Sequence, residues 1–242
     1  MSEKKIVNKW LKIIQQILSH GLSFPCHCVL CLQSSQRDFA LCRDCESSLP
    51  WLEQACPRCG LSIRDESGIC WQCHQTPFAF DSLQALFHYQ WPVSAFVGDL
   101  KYKGHLHFVK MLANLMASRL STLYPIDCVI GVPLHPMRQR QRGFNQTFEL
   151  AKMISKLVQK PFDRWSCTKT LDLPAQATLP QSKRTKNLSS KAFFIAPAFV
   201  AKHVLVIEDV VTTGQTVQAF TQALKRQGVA TVEIWSVCRT HL

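Results

Sequence analysis

Apolar positions recur with two different periods along this chain, and the change of period marks its elements. Residues 6, 7, 10, 11, 13, 14, 17 and 18 are apolar, with Lys9, Lys12, Gln15 and Gln16 between them. That spacing predicts an amphipathic helix over Ile6–Leu18, too polar to span a bilayer or to act as a secretory signal. Its apolar face suits packing against the rest of the protein; the alternative is a membrane surface, approached through Lys4, Lys5, Lys9 and Lys12. From Leu83 onward, short β-rich runs alternate with longer stretches of helical period, which predicts a mostly parallel sheet with helices on both faces. The strands fall at Cys128–Val132, Trp165–Lys169, Ala192–Ile195, Val204–Glu208 and Thr231–Val237. The helices fall at Val93–Lys101, Leu106–Leu123, Asn145–Gln159 and Gln215–Gln227, the last stopped by Gly228.

Cysteine usage separates a small module from this α/β domain. Nine of twelve cysteines lie between Cys26 and Cys73. They include Cys28-Val-Leu-Cys31 and Cys42-Arg-Asp-Cys45, then Cys56-Pro-Arg-Cys59 and Cys70-Trp-Gln-Cys73, with ten residues between knuckles in each half and 28 between the two starts. Two C-x2-C turns direct four thiolates at one point, the closed tetrahedral set that Zn2+ prefers, so the repeat predicts two structural Zn2+ sites. Equal spacing favours sequential grouping (28, 31, 42, 45 and 56, 59, 70, 73); crossed pairing of alternate knuckles is the other arrangement. The metal would replace the apolar core that 46 residues can scarcely build. Cys26, His27 and His74 flank the knuckles without being needed as ligands. A redox role fits poorly, because redox C-x-x-C motifs come singly at a helix start. The expected division is 1–25 helix and lead-in, 26–75 double ribbon, 76–242 α/β domain. With no export signal and thiols suited to metal, the expected location is the cytoplasm.

Charge adds a direction. The net charge is +12, with residues 1–80 carrying 8 basic and 7 acidic side chains and residues 81–242 carrying 20 and 9. A polyanion or an anionic metabolite is therefore expected at the larger domain. The segment after strand Val204–Glu208 says where. Val204-Leu205-Val206-Ile207 is an aliphatic run suited to burial on both faces of a parallel sheet. It ends in Glu208 and Asp209, and Val210-Val211-Thr212-Thr213-Gly214-Gln215-Thr216 then leads into a helix. A loop between a strand's carboxyl end and a helix's amino end is where α/β sheets bind anions. Backbone N–H groups and the hydroxyls of Thr212, Thr213 and Thr216 can wrap a phosphate that Gly214 lets approach. Glu208 and Asp209 suit ribose hydroxyls and a Mg2+ on pyrophosphate.

This segment resembles the PRPP (phosphoribosyl pyrophosphate) motif of type I phosphoribosyltransferases. The resemblance implies that Glu208 and Asp209 bind ribose hydroxyls, that the T-T-G-x-T loop holds the 5′-phosphate, and that a parallel sheet of about five strands lies beneath a hood. A wider match takes in the cysteine-rich N-terminus, Leu100-Lys101-Tyr102-Lys103-Gly104, Val132-Pro133, Arg142-Gly143-Phe144-Asn145-Gln146, and Gln176, Leu179, Arg184 and Asn187. Together these are similar to the ComF family, whose ComFC and GntX-like members join a zinc ribbon to a phosphoribosyltransferase-like domain. That resemblance implies a cytoplasmic competence protein that binds PRPP with Mg2+ and handles incoming single-stranded DNA beside a helicase-like ATPase. The first acid here is Glu208, where the family commonly has Asp.

Candidate contacts to pyrophosphate or DNA phosphates are Lys101, Arg138, Arg140, Arg142, Phe144, Asn145, Gln146, Lys183 and Arg184. Arginines bind phosphate through paired donors, and an aromatic neighbour can stack on a base. Leu179–Lys191, with Lys183, Arg184, Lys186 and Lys191, reads as a mobile closing loop. No catalytic residue is identifiable. An active transferase, moving ribose 5-phosphate to an unidentified acceptor, is the alternative to a binding protein.

Overall fold

The computed structural model describes residues 26–63, 68–75, 77–171 and 190–240. The expected N-terminal helix, Gln176, Leu179, Asn187 and the cations Lys183, Arg184 and Lys186 lie outside these residues. The chain divides into two compact units, Met1–Ser48 and Leu49–Leu242. The second four-cysteine repeat therefore shares a unit with the sheet, whereas the sequence division placed both repeats in one module ending at residue 75.

The two repeats fold locally alike. In the first, Cys28 N donates to Gln33 O and Leu32 N to Cys28 O; in the second, Cys56 N donates to Leu61 O and Gly60 N to Cys56 O. The bridges His27–Ser34 and Ala55–Ser62 keep the same 28-residue offset. Each repeat closes on a short helix, α1 (Arg43–Ser47) and α2 (Trp71–Gln75). The turn after the first knuckle needs a positive φ, 63° at Leu32 and 65° at Gly60. Leu32 is 75% exposed, but a Cβ on Gly60 would lie 2.6 Å from Leu83 Cδ2. Only glycine lets the second knuckle pack this closely on the sheet.

The sheet has four parallel strands in the order β1 (Ser82–His88), β6 (Thr231–Arg239), β5 (His203–Val211), β2 (Cys128–Gly131). Along β5 side chains alternate between faces. Val204 and Val206 join a core with Val232, Ile234 and Phe220 of helix α7 (Gln215–Arg226), and this core also takes in Cys56, Cys59, Cys70 and Cys73. The opposite face is covered by α4 (His107–Arg119) and α6 (Gln146–Leu157), which pack on each other. Helix α3 (Val93–Lys103) precedes α4, and α5 (Pro136–Arg142) follows β2. Both edges are covered. Leu52 N donates to Leu86 O and His88 N to Pro50 O along β1, and Val129 N donates to Pro161 O along β2.

Three features depart from the pattern reading. β1 was not expected, because Ser-Leu-Gln-Ala-Leu-Phe-His lacks β-branched residues and its strand state comes from pairing with β6. The expected strands near 167 and 193 do form, as β3 (Cys167–Lys169) and β4 (Phe193–Ile195), but they pair antiparallel with each other outside the main sheet. The arginine-rich segment, absent from the expected helices, forms one: Pro136 is at its start and His135 Nδ1 accepts from Met137 N. Because only the second repeat shares the sheet's core, Cys59→Ser should lower the melting temperature of the zinc-loaded protein by at least about 5 °C, whereas Cys31→Ser should leave the sheet unit's transition in place. Differential scanning calorimetry of the two variants checks this.

Candidate functional site

Strand β5 ends in the centre of the sheet, and the chain turns through Thr212, Thr213 and Gly214 into α7. Gly214 is the helix N-cap at φ 79° and offers no side-chain cap, so the first-turn N–H groups face the adjoining pocket. That small pocket is lined by Glu208, Val210, Val211, Thr212 and Gly214–Val217. It brings together the sequence-predicted loop residues Thr212, Gly214, Gln215 and Thr216. Thr213 Oγ1 instead accepts from Gln215 N at 3.4 Å.

The two acids have different surroundings, since neighbours on a strand point to opposite faces. Glu208 lines the pocket, and its Oε1 accepts from Asp209 N at 3.0 Å. Burial, and then the neighbouring Asp209 charge, push the Glu208 carboxyl well above its ordinary range. Asp209 is buried and held on the other side. Its Oδ1 lies 3.0 Å from Lys101 Nζ, and its Oδ2 accepts from Gln146 Nε2 at 2.7 Å. Burial disfavours the Lys101 ammonium, but the Asp209 carboxylate outweighs it and raises the Lys101 pKa.

Lys101 directly, and Gln146 through Arg142, connect Asp209 to a wide open cleft lined by Lys101, Tyr102, Lys103, Arg138, Arg142 and Phe144, among others. Arg142 Nη1 donates to Gln146 Oε1 at 2.5 Å, and its guanidinium carbon is 5.5 Å from the Tyr102 ring centre. Tyr102 is 80% exposed, so its ring remains largely open to solvent beside that guanidinium. The helical state of α5 sorts its arginines: 138 and 142 share a side at a spacing of four, while Arg140 projects elsewhere and does not line the cleft. Asn145, expected as a phosphate contact, is buried and structural. Its Oδ1 caps α6 through Thr147 N, and its Nδ2 donates to Val132 O.

The eight knuckle cysteines form two groups, 28, 31, 42, 45 and 56, 59, 70, 73, with the sulfurs of each group within 4.8 Å of one another. The sequential grouping holds. Sulfur separations of 3.7 Å (Cys31–Cys42), 3.9 Å (Cys56–Cys73) and 3.5 Å (Cys59–Cys70) fit a tetrahedral ion, whose S···S edges are about 3.8 Å for a metal bond of about 2.3 Å. The knuckle backbone prepares one thiolate in each group. Burial opposes ionisation, but N–H groups aimed at the sulfur bring Cys28 down to about 6 and Cys56 to about 7.

One residue went unread in the sequence: Arg239, the last residue of β6, is buried and donates through Nη1 to Thr212 O in the loop. Its only sequence signal is a cation closing a mostly apolar strand.

Comparisons with known proteins match this architecture. The double zinc ribbon domain model covers residues 20–74, and the phosphoribosyl transferase domain model covers 176–241. DNA utilization protein YhgH of Shigella flexneri is 31% identical over 226 residues, spanning 90% of this chain and 99% of the relative. The chain belongs to the ComF family. Two further ComF relatives are competence protein F of Haemophilus influenzae, 26% identical over 82% of this chain and 90% of its own, and competence protein ComFC of Streptococcus pneumoniae, 28% identical over 84% and 89%.

In this ComF chain the fold is of the type I phosphoribosyltransferase kind with a double zinc ribbon, and no described helix is long and apolar enough to cross a membrane. The raised Glu208 pKa has a consequence for stability. A carboxyl whose folded pKa exceeds its unfolded value opposes folding as pH rises above that unfolded value, about 4.5, and contributes nothing below it. Glu208→Gln should therefore raise the melting temperature of the ligand-free protein by about 2 °C or more near pH 8, with the difference vanishing below pH ~4.5. Thermal melts across that range check it.

Proposed function

We propose that this chain binds PRPP with Mg2+ in the Glu208–Thr216 pocket and handles incoming single-stranded DNA during natural transformation, in the cytoplasm. The observation that carries the reading is the amino end of α7, with a glycine as its N-cap, opening into a pocket at the end of β5. A 5′-phosphate there would accept from the first-turn N–H groups and from the hydroxyls of Thr212 and Thr216. Two buried carboxylates, Glu208 and Asp209, face the single ammonium of Lys101. Mg2+ on the pyrophosphate would offset the burial and the Asp209 charge that raise the Glu208 pKa, and so favour a Glu208 carboxylate that accepts from the ribose hydroxyls.

The neighbouring cleft supports the second half of the reading. Lys101, Lys103, Arg138 and Arg142 offer phosphate contacts, and Tyr102 and Phe144 offer stacking faces, a combination suited to single strands without sequence preference. The relatives' names, a DNA utilization protein and two competence proteins, point the same way. A helicase-like competence ATPase is the protein partner this reading implies. Lys183 and Arg184 join the DNA-contacting set on the resemblance alone. The alternative, transfer of ribose 5-phosphate to an acceptor held in the open cleft, is tested by the same experiment.

Labelled single-stranded DNA should be titrated with and without PRPP–Mg2+ at several salt concentrations, while pyrophosphate release is followed. Glu208→Gln should weaken PRPP binding about thirtyfold or more and leave DNA affinity within about threefold. Arg138→Ala should weaken DNA binding and lower the salt slope by about 0.7, whereas Arg140→Ala should change neither. Absence of DNA binding at low salt defeats the DNA half of the reading. Pyrophosphate release dependent on an added acceptor establishes the transferase instead.

A further inference from the structure

Arg239 lies between the Thr212–Gly214 loop and the second four-cysteine group. It ends β6, paired with His88 on one side and Val211 on the other, with only 2% of its surface exposed. Nη1 donates to the carbonyl of Thr212 in the phosphate loop. Nε and Nη2 are buried with no hydrogen-bond partner among the described residues. Burial opposes its protonated form, and the charges that favour it come from Cys59 first, then Cys70 and Cys73.

A buried guanidinium with two unpaired nitrogens is strongly destabilising unless a negative charge sits beside it. The second four-cysteine group supplies one when loaded, because four thiolates around Zn2+ carry a net charge of about −2. The sulfur geometry fits such an ion, with Cys59–Cys70 and Cys56–Cys73 separations of 3.5 and 3.9 Å. The unpaired donors then have acceptors in the thiolate sulfurs, and the third donor is left to fasten Thr212. Zinc thiolates accepting hydrogen bonds from such a neighbour are the usual outer partners of a metal site.

A second tie runs in parallel. The chain leaving the second ribbon site passes directly over the loop's other end. Ala79 N donates to Gln218 Oε1 at 2.7 Å, and the Phe78 ring stands 3.4 Å from where a Cβ on Gly214 would sit. Phe78 stacks on Phe80, which belongs to the same core as the four cysteines. Thr212 at the start of the loop and Gly214 to Gln218 at its end are therefore both fastened to the second ribbon.

We propose that Arg239 is a positioning residue through which the metal-loaded Cys56–Cys59–Cys70–Cys73 site holds the phosphate loop in its binding conformation. The two ribbons then have different duties: the second serves the anion site, and the first does not. The affinity consequence rests on the PRPP reading above; the structural consequence does not.

The test uses the full chain loaded with zinc. Arg239→Met removes the charge while keeping bulk, and Arg239→Lys keeps the charge without the fork. Three quantities are followed: zinc release to a chromogenic chelator, amide hydrogen exchange over residues 212–216, and PRPP binding by calorimetry. Arg239→Met should speed release of one of the two zinc ions about tenfold or more, the scale of one lost charge-assisted bond to a buried partner, and leave the other unchanged. Exchange over 212–216 should rise in step, exchange over 28–45 should not, and PRPP affinity should fall about tenfold. Arg239→Lys should recover slow zinc release and part of the loop protection. Unchanged zinc release and unchanged loop exchange in Arg239→Met overturn the proposal, as does equal acceleration of both zincs. Should Arg239→Met fail to fold, stepwise chelation of the wild-type protein replaces it. Loop amides that stay protected after the second zinc has left also overturn the proposal. Wild-type protein that binds no PRPP, yet shows the zinc and exchange effects, defeats the PRPP reading and leaves the coupling standing.

Discussion

Strand β5 is buried on both faces, and the site depends on that burial. Its aliphatic run pairs with β2 and β6, so its carboxyl end, with Glu208 and Asp209, is delivered into a region from which water is largely excluded. Charges there are strongly felt, which sets the pattern of the surrounding residues. Lys101 comes from α3 to meet Asp209, Gln146 comes from the amino end of α6 to the same carboxylate, and Arg142 anchors Gln146 in turn. Burial and the neighbouring Asp209 charge raise the Glu208 pKa by more than the Lys101 ammonium lowers it. The ligand-free site is thus short of positive charge on the pocket side and satisfied on the cleft side.

This asymmetry gives the two acids separate parts. Glu208 stands open to an incoming group, and Asp209 ties the pocket to the cleft through its partners. A change at Lys101 or Gln146 reaches both cavities, because one carboxylate serves both. The cleft itself is mostly a product of helix ends: α3 closes with Lys101 and Lys103, α5 presents Arg138 and Arg142 at a helical spacing, and Phe144 fills the turn between α5 and α6.

The ribbon shows how one local solution acquires two tertiary roles. Both repeats fold with the same knuckle hydrogen bonds at an offset of 28 residues. At the equivalent turn position the first has an exposed leucine and the second a glycine pressed on Leu83. That single substitution in the repeat reports which copy is packed into the sheet's core. The same core places the second set of thiols beside Arg239, a neighbour that a spacing argument does not contain.

Much of this was legible in the residues. The four knuckles announced the two four-cysteine groups, because a thiolate turn is a local structure and its spacing survives any tertiary setting. The aliphatic run with its two acids and T-T-G turn announced the strand, the loop and the helix start, again local features. Less local matters were out of reach. Strand β1 owes its state to β6, and β3 and β4 chose each other over the main sheet, because strand pairing is a long-range bargain that propensity does not encode. The three arginines read as one patch until the helix turned Arg140 away from the cleft. The sequence by itself determined the chemistry present: two four-thiolate sets, an anion loop and a surplus of cations around it. Only the tertiary structure decided which charges meet. It set Asp209 against Lys101 and Arg239 against both Thr212 and the second cysteine group, since a side chain's electrostatic partners are fixed by packing across the sheet, not by distance along the chain.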